Sequence, residues 1–222
     1  MSIAVAIDGP AGAGKSTIAR AAAKALGFIY VDTGALYRSI GLNAIRTGVD
    51  ITDSNAVENS LTGMKVELAF DAQGAQIVLL NGEDVSSLIR TPEVSMAASK
   101  VSAVPKVRAF LLDLQRNMAK TQSVIMDGRD IGTVVLPDAE VKIFLTASPE
   151  IRAKRRFDEL IEKVQEVKYE DVLADVIERD YNDSHREIAP LKPAEDSKIA
   201  DTSGLTLEES IDLIINIIKE NT

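Results

Sequence analysis

Several residue types are missing or rare in this chain, and each absence excludes a class of chemistry. No cysteine occurs among the 222 residues, which excludes thiolate catalysis, cysteine-rich zinc sites and disulfide bonds. Tryptophan is absent and aromatic residues make up only 4%, which argues against a platform for stacking single-stranded bases. The one histidine, His185, is a poor metal site by itself, and we interpret it as a polar helix residue.

Long apolar runs and positive charge are also scarce. No uninterrupted apolar run approaches the roughly 20 residues of a membrane span. The segment from Met1 to Asp8 lacks the basic region and cleavage site of a signal peptide. A net charge of −9, from 25 basic and 34 acidic residues, disfavours binding to a nucleic acid polymer. We therefore expect a cytoplasmic protein that binds small molecules rather than membranes or nucleic acids, and we expect a monomer.

Strand-like and helix-like segments alternate along the chain. Short apolar runs predict strands at 3–7, 28–31, 123–126, 141–145 and 197–200. Helical spacing predicts helices at 15–26, 35–46, 53–63, 93–103, 105–119, 169–186 and 206–219, and a further helix opened by Pro149. Such alternation predicts an α/β fold over residues 1–222, with about five parallel strands and helices on both faces.

One stretch departs from this alternation. Val66–Phe70 and Gln76–Leu80 flank the turn-like sequence 71–74, and Asn81-Gly82 suggests another turn. Two β-rich runs so close in sequence predict a hairpin. We therefore interpret residues 64–90 as a small antiparallel insertion in the parallel core.

A glycine-rich segment matches the phosphate-binding pattern G-x-x-x-x-G-K-S/T in full. It follows a predicted strand and opens a predicted helix, the setting in which this pattern binds nucleotide phosphates. Backbone N–H groups and the helix N-terminus would attract the phosphates, with Lys15 on the β- and γ-phosphates and Ser16 on Mg²⁺. The predicted cofactor-binding residues for ATP are Gly9, Pro10, Ala11, Gly12, Ala13, Gly14, Lys15, Ser16 and Thr17.

A second metal-binding group is expected at the end of another strand. Val124-Ile125-Met126-Asp127 is an apolar run followed by an acid, as in a Walker B element. We predict that Asp127 assists Ser16 in holding Mg²⁺. Arg129 follows within Asp127-Gly128-Arg129-Asp130, at a strand end where open α/β sheets place ligands, which favours a phosphate-binding role for this arginine.

Other uses of a phosphate loop fit the sequence less well. A guanine-specific switch would carry N-K-x-D after a strand, and the nearest match, Asn81–Asp84, lacks the lysine. An ATPase motor would need more chain for its additional elements. Ile29-Tyr30-Val31-Asp32-Thr33-Gly34 resembles an aspartic protease signature, but such enzymes need two carboxylates that share a proton.

These motifs together resemble the bacterial cytidylate kinase family, over essentially the whole chain. The D-G-R-D-x-G-T-V sequence beside a phosphate loop is highly specific. The matching stretches are 7–10 leading into the loop, 32–38, 89–94, 105–108, 127–135 and 189–191. The resemblance implies a P-loop kinase fold with a short lid at 150–187, and it relates the 64–90 insertion to the small extra domain of bacterial members near the NMP-binding region.

The resemblance also implies an activity, the transfer of the ATP γ-phosphoryl group to CMP or dCMP. Thr33 and Arg38 would hold the acceptor, with Arg38 on its phosphate. Ser99, Arg108 and Asp130 would read the cytosine edge. A carboxylate can accept a hydrogen bond from the cytosine amino group, which uracil lacks.

Further roles follow from the resemblance at the remaining positions. Arg129 would contact the acceptor phosphate, and Asp183 and Arg179 would address the ribose region. Arg186 would contact phosphates. The implied catalytic residues are Lys15, Arg129 and Arg179, which would neutralise charge on the transferring group. Residues 179–186 match the family only in part.

Two other functions remain open from the sequence. One is a kinase with a different small acceptor, such as UMP, AMP or a shikimate-like compound. The other is a nucleotide-dependent binding module without transfer. Comparison of acceptors would separate the first from a cytidylate kinase, and nucleotide binding without turnover would indicate the second.

Overall fold

A computed structural model describes residues 2–71, 76–162 and 166–222, and in these residues strands alternate with helices. The strands are β1 (Ala4–Asp8), β2 (Ile29–Asp32), β3 (Val66–Phe70), β4 (Gln76–Leu80), β5 (Glu83–Asp84), β6 (Val124–Gly128), β7 (Val141–Thr146) and β8 (Lys198–Asp201). The α-helices are α1 (Lys15–Leu26), α2 (Thr33–Thr47), α3 (Ser54–Ser60), α4 (Pro92–Val101), α5 (Pro105–Ala119), α6 (Pro149–Glu162), α7 (Tyr169–His185) and α8 (Leu207–Glu220). Short 3₁₀ and π turns lie at Leu88–Arg90 and Ile131–Val135.

The chain divides into two compact units, and the first contains a five-stranded sheet. This unit comprises Met1–Tyr30 and Gln122–Thr222, so the division falls inside β2. The strand order is β2-β6-β1-β7-β8, with parallel pairing of β1 to β6, β1 to β7 and β7 to β8. Val5, Ala6 and Ile7 are each 0% exposed. Because successive side chains of a strand point to opposite faces, both faces of β1 are covered.

Two helices supply much of the apolar core of this first unit. Ile18 of α1 and Ile214 of α8 belong to one buried cluster with Ile143 and Leu145 of β7. Thr206 starts α8 with a capping box, since its hydroxyl accepts the Glu209 N–H and the Glu209 carboxylate accepts the Thr206 N–H. The amphipathic pattern of residues 206–219 is thus explained by packing against the sheet.

The second unit, Val31–Thr121, packs helices against a small antiparallel sheet. The sheet has the order β3-β4-β5, with Val66 opposite Leu80 and Leu80 opposite Glu83. Val78 and Leu80 are buried with Leu36 and Ile40 of α2 in one cluster. This sheet therefore shares a core with the helix that carries the predicted acceptor-binding residues.

The structure confirms the predicted α/β class, the five parallel strands and an antiparallel insertion. It adds to the prediction in two places, because β5 makes the insertion three-stranded and α2 begins at Thr33 rather than at residue 35. The predicted turn at 71–74 lies mostly outside the described residues. Among the residues described, no helix is both long and apolar enough to cross a membrane.

Candidate active site

The glycine-rich loop connects β1 to α1, as the sequence predicts. At Gly9, φ is 150°, and a Cβ atom would lie 1.9 Å from the carbonyl oxygen of Leu145 on the neighbouring strand. Gly14 adopts φ 86° and precedes the first residue of α1. Side chains at these two positions would collide or be strained, so the loop needs glycine for close packing and for its left-handed turn. The arrangement presents the N-terminus of α1, which favours bound anions.

Lys15, the first residue of α1, is buried at the base of this loop. Its Nζ donates a hydrogen bond of 2.7 Å to the carbonyl oxygen of Pro10. Burial lowers the pKa of Lys15 well below its ordinary value, and repulsion from Arg129 lowers it further, while Asp127, Asp183 and Asp8 oppose the shift. An anionic phosphate beside Nζ would favour the charged ammonium, so the chemistry of the site fits a phosphorylated ligand.

The predicted metal-binding pair is brought together in the first unit. The Ser16 hydroxyl donates a 2.9 Å hydrogen bond to Asp127 Oδ2, and the Tyr30 hydroxyl donates one of 3.0 Å to Oδ1. Asp127 is the last residue but one of β6 and is 3% exposed. One hydroxyl and one carboxylate fit Mg²⁺, which binds proteins through few oxygen ligands and keeps waters and substrate phosphates. Among the residues that the structure describes, no three His, Cys, Asp or Glu side chains form a cluster that could hold a metal.

A group of charged side chains surrounds the end of β6. Arg129 Nε donates a 2.9 Å hydrogen bond to Asp183 Oδ2 of α7. Burial alone would raise the pKa of Asp183, but attraction to Arg129, and more weakly to Arg179 and Arg186, holds this pKa below its ordinary value. Arg186 lies 3.8 Å from Asp130. The structure therefore assembles all five of the predicted residues from 129–130 and 179–186.

Asp8 is a site-supporting residue that the sequence analysis did not identify. Its two carboxylate oxygens accept the N–H groups of Ile131 and Gly132, each at 2.7 Å. These bonds start the π turn that follows Asp130. Burial raises the pKa of Asp8 to about 6, partly offset by the two N–H donors. The signal in the sequence was an acid at the end of a buried strand, directly before the loop.

Arg152 is the second residue that was missed, although it lies in the helix predicted to open at Pro149. Its guanidinium is buried, with NH1 donating to the Ala11 carbonyl oxygen at 3.0 Å and to Asp180 Oδ1 at 2.9 Å. Nε donates to the Ala147 carbonyl oxygen at 2.8 Å. A single side chain of α6 thus joins the phosphate loop to α7.

The predicted acceptor-binding residues of the second unit lie on α2, α4 and α5. Arg38 NH2 donates a 2.7 Å hydrogen bond to Asp32 Oδ2, while Arg38 Nε is buried without a hydrogen-bond partner among the described residues. An unused buried donor fits an anionic ligand that is a strong acceptor. Thr33 is buried at the start of α2, and Asp32 is a partner that the sequence analysis missed.

The base-reading candidates of this unit are connected through α4. Arg108 donates from NH1 to the Ser102 carbonyl oxygen at 3.2 Å, and its guanidinium lies 5.6 Å from the Tyr37 ring centre. The Ser102 hydroxyl donates to the Ser99 carbonyl oxygen at 2.8 Å. The backbone of Ser99 and the guanidinium of Arg108 are thus both linked to Ser102.

Comparison with known proteins adds an independent finding. The cytidylate kinase family model matches residues 5–220. The cytidylate kinase of Caldicellulosiruptor saccharolyticus is 51% identical over 97% of this chain and 95% of its own length. That of Carboxydothermus hydrogenoformans is 50% identical over 96% of each chain. Among solved structures, an uncharacterized protein from Eubacterium ventriosum shares the fold at 12% identity, with a TM-score of 0.54 over 98% of this chain and 99% of its own.

Proposed function

Because the chain belongs to the cytidylate kinase family, we propose that it transfers the γ-phosphoryl group of ATP to CMP and dCMP, forming CDP and dCDP. The observation that carries this proposal is the phosphate loop with Lys15 at its base and the Ser16–Asp127 pair beside it. A loop of this kind supports phosphoryl transfer, and membership of the family supports cytidylate as the acceptor. A kinase with a different small acceptor is the alternative that the experiment below excludes or establishes.

Transfer in this site needs no covalent intermediate. An ionised oxygen of the acceptor phosphate would attack the γ-phosphorus in line, so a general base is unnecessary. Lys15 and Arg129 would neutralise charge on the transferring group, and Arg179 would assist them. Asp183 holds the Arg129 guanidinium by its 2.9 Å bond, which orients one of these positive charges in advance.

Mg²⁺ is proposed as the metal cofactor, held by Ser16 and Asp127. When bound, it would help to neutralise the negative charge on the phosphates during transfer. Tyr30 would hold Asp127 in place through its hydroxyl. The lysine, the hydroxyl and the carboxylate thereby have separate tasks, since only the latter two offer oxygen ligands.

Recognition of the acceptor is proposed to use the residues that the family resemblance implies. Arg38 would bind the acceptor phosphate with the Nε donor that is buried and unused, and Thr33 would assist it. Ser99, Arg108 and Asp130 would read the base. The Asp130 carboxylate would accept from the cytosine amino group.

The remaining contacts belong to α7 and the residue that follows it. Asp183 and Arg179 would address the ribose region, and Arg186 would contact phosphates. We propose that residues 150–187 act as the lid, which excludes water and so suppresses hydrolysis of ATP. We also propose a single functional domain over 1–222 with an insertion at 64–90, acting as a cytoplasmic monomer that does not bind nucleic acid polymers.

The experiment that tests this function measures ADP formation from Mg·ATP with CMP, dCMP, UMP, AMP, GMP and no acceptor. We expect fast turnover with CMP and dCMP, slow turnover with the other acceptors, and near-background ATP hydrolysis without one. Lys15→Ala serves as the control for phosphoryl transfer and should reduce turnover severely. A clear preference for another acceptor, or no dependence on an acceptor, would contradict the cytidylate assignment.

A further inference from the structure

The side chain of Gln76, the first residue of β4, binds the backbone of a residue far away in the sequence. Its Oε1 accepts the Asp32 N–H at 2.8 Å, and its Nε2 donates to the Asp32 carbonyl oxygen at 3.2 Å. The amide thus satisfies both main-chain polar groups of Asp32, as a neighbouring strand would. Both residues belong to the second unit. The insertion is therefore attached directly to the backbone at the start of α2.

Asp32 in turn orients the start of α2 and one side chain on it. Asp32 Oδ1 accepts the Ala35 N–H at 3.0 Å and so caps the helix. Asp32 Oδ2 accepts from Arg38 NH2 at 2.7 Å, with 8% of the Asp32 side chain and 21% of the Arg38 side chain exposed. A continuous chain of hydrogen bonds runs from Gln76 through Asp32 to Arg38.

Apolar packing holds Gln76, where this chain of hydrogen bonds begins, in place. Val78 and Leu80 of β4 are 2% and 3% exposed and share a cluster with Leu36 and Ile40 of α2. Because β4 and α2 are fixed to each other by this core, Gln76 reaches Asp32 from a rigid support. Supporting hydrogen bonds on rigid elements are what hold a binding side chain in a productive geometry.

We propose that Gln76 is a positioning residue for the acceptor phosphate, acting through Asp32 on Arg38. This inference rests on the proposed function, in which Arg38 binds that phosphate. An arginine has many rotamers, and fixing one before the ligand arrives lowers the entropy lost on binding. The antiparallel insertion then contributes to substrate binding as well as to stability, since it carries Gln76, where the chain of hydrogen bonds begins.

The first test compares kinetics of Gln76→Ala with the wild-type chain. We expect kcat/KM for CMP at saturating ATP to fall about five- to tenfold, the equivalent of one hydrogen bond, with KM for ATP changed less than about twofold. Gln76→Met keeps the length of the side chain without its polar atoms and should show the same loss for CMP. It replaces Gln76→Ala in the comparison if that variant folds poorly. Glu67→Ala, on the neighbouring strand, is the matched control and should leave both constants unchanged. Equal losses for CMP and ATP, or none, would overturn the proposal.

A double-mutant cycle tests whether Gln76 acts through Arg38. Once Arg38 is replaced by alanine, Gln76→Ala should have little further effect on kcat/KM for CMP, because the group it positions is gone. A purely structural role of Gln76 would instead give the same fold-loss in both backgrounds. That additive result would refute action through Arg38.

Hydrogen exchange gives a readout that does not depend on the substrate. In Gln76→Met the amides of Asp32 and Ala35 should exchange at least about tenfold faster than in wild type, because the bonds that protect them are lost or loosened. Unchanged exchange would contradict the positioning role even if CMP turnover falls. A wild-type chain inactive on CMP would refute the proposed function, while faster exchange in the variant would still establish the link from Gln76 to Asp32.

Discussion

Asp130 is the residue on which the proposed discrimination between cytosine and uracil depends. The side chain is 4% exposed, and Arg186 NH2 lies 3.8 Å away. A buried carboxylate needs donors, and the cytosine amino group would supply one that uracil cannot supply. Its neighbour Arg129 is engaged with Asp183, so adjacent residues of one turn have different proposed tasks.

Replacing Asp130 should therefore affect specificity more than nucleotide binding in general. In Asp130→Ala we expect the preference for CMP over UMP, measured as the ratio of their kcat/KM values, to shrink by the equivalent of about 1–3 kcal/mol. The KM for ATP should be nearly unchanged. Steady-state kinetics with both acceptors measure this directly. Equal losses of kcat/KM for CMP and UMP would remove Asp130 from base recognition.

Asp8 should give the chain a recognisable dependence of stability on pH. Its pKa is about 6 in the folded chain and 3.8 as a reference, with Asp130 raising it and Lys15 lowering it as the charged neighbours. Between these two values the folded state keeps a proton that the unfolded state has lost, so the contribution of this group falls as pH rises. From pH 5 to pH 8 the loss should be about 1–1.5 kcal/mol.

The measurement compares unfolding free energies of wild type and Asp8→Asn by urea titration across that pH range. The asparagine variant should lack this loss, because its side chain does not titrate. A second, pH-independent contribution of about 1–3 kcal/mol should lower its stability, since its amide nitrogen cannot accept the second N–H. The difference between the two proteins should therefore change with pH. A constant difference between the two proteins would show that Asp8 titrates normally.

At the scale of elements, α2 and α4 pack closely against each other around Gly41. A Cβ atom at Gly41 would lie 2.9 Å from the Ala98 backbone nitrogen and 3.2 Å from the Ala97 carbonyl carbon. These are main-chain atoms, so no side-chain rotation can relieve the contact. The two helices can approach this closely only with glycine at position 41.

Gly41→Ala should consequently destabilise the second unit. Overpacking costs about 1–3 kcal/mol, which exceeds the gain of up to about 1 kcal/mol in helix propensity. Asn43→Ala is a suitable control, because it changes propensity on the same helix without adding atoms. Thermal unfolding of the three proteins should rank Gly41→Ala lowest, and a melting temperature at or above wild type for this variant would contradict the packing argument.

For the whole molecule, local patterns predicted most of the fold and the central part of the site. The loop at 9–16 was predictable because its glycines are required by local backbone geometry. Strands β1 and β6 were predictable because they are buried on both faces and read as continuous apolar runs. The two-residue strand Glu83–Asp84 was not, because it is too short to show alternation and forms only by pairing with β4.

The missed residues depend on partners distant in sequence. Asp8 meets Ile131 across 123 positions, and Arg152 meets Ala11 across 141. Within its own helix Arg152 has the pattern of a solvated basic face, and only its burial and its contacts in the structure reveal its task. The link from Gln76 to Asp32 was likewise invisible, since an amide at a strand start is usually exposed.

The bonds to Pro10 and Ala11 have a consequence for how mutations act on this protein. Lys15 and Arg152 hold the phosphate loop by its carbonyl oxygens, which no single-codon change can delete. Substitutions that impair function should therefore concentrate at these two basic residues rather than at Pro10 and Ala11. In a saturation library selected for growth that depends on this enzyme, Pro10 and Ala11 should accept more small substitutions than Lys15 and Arg152. Even Lys15→Arg and Arg152→Lys should be depleted.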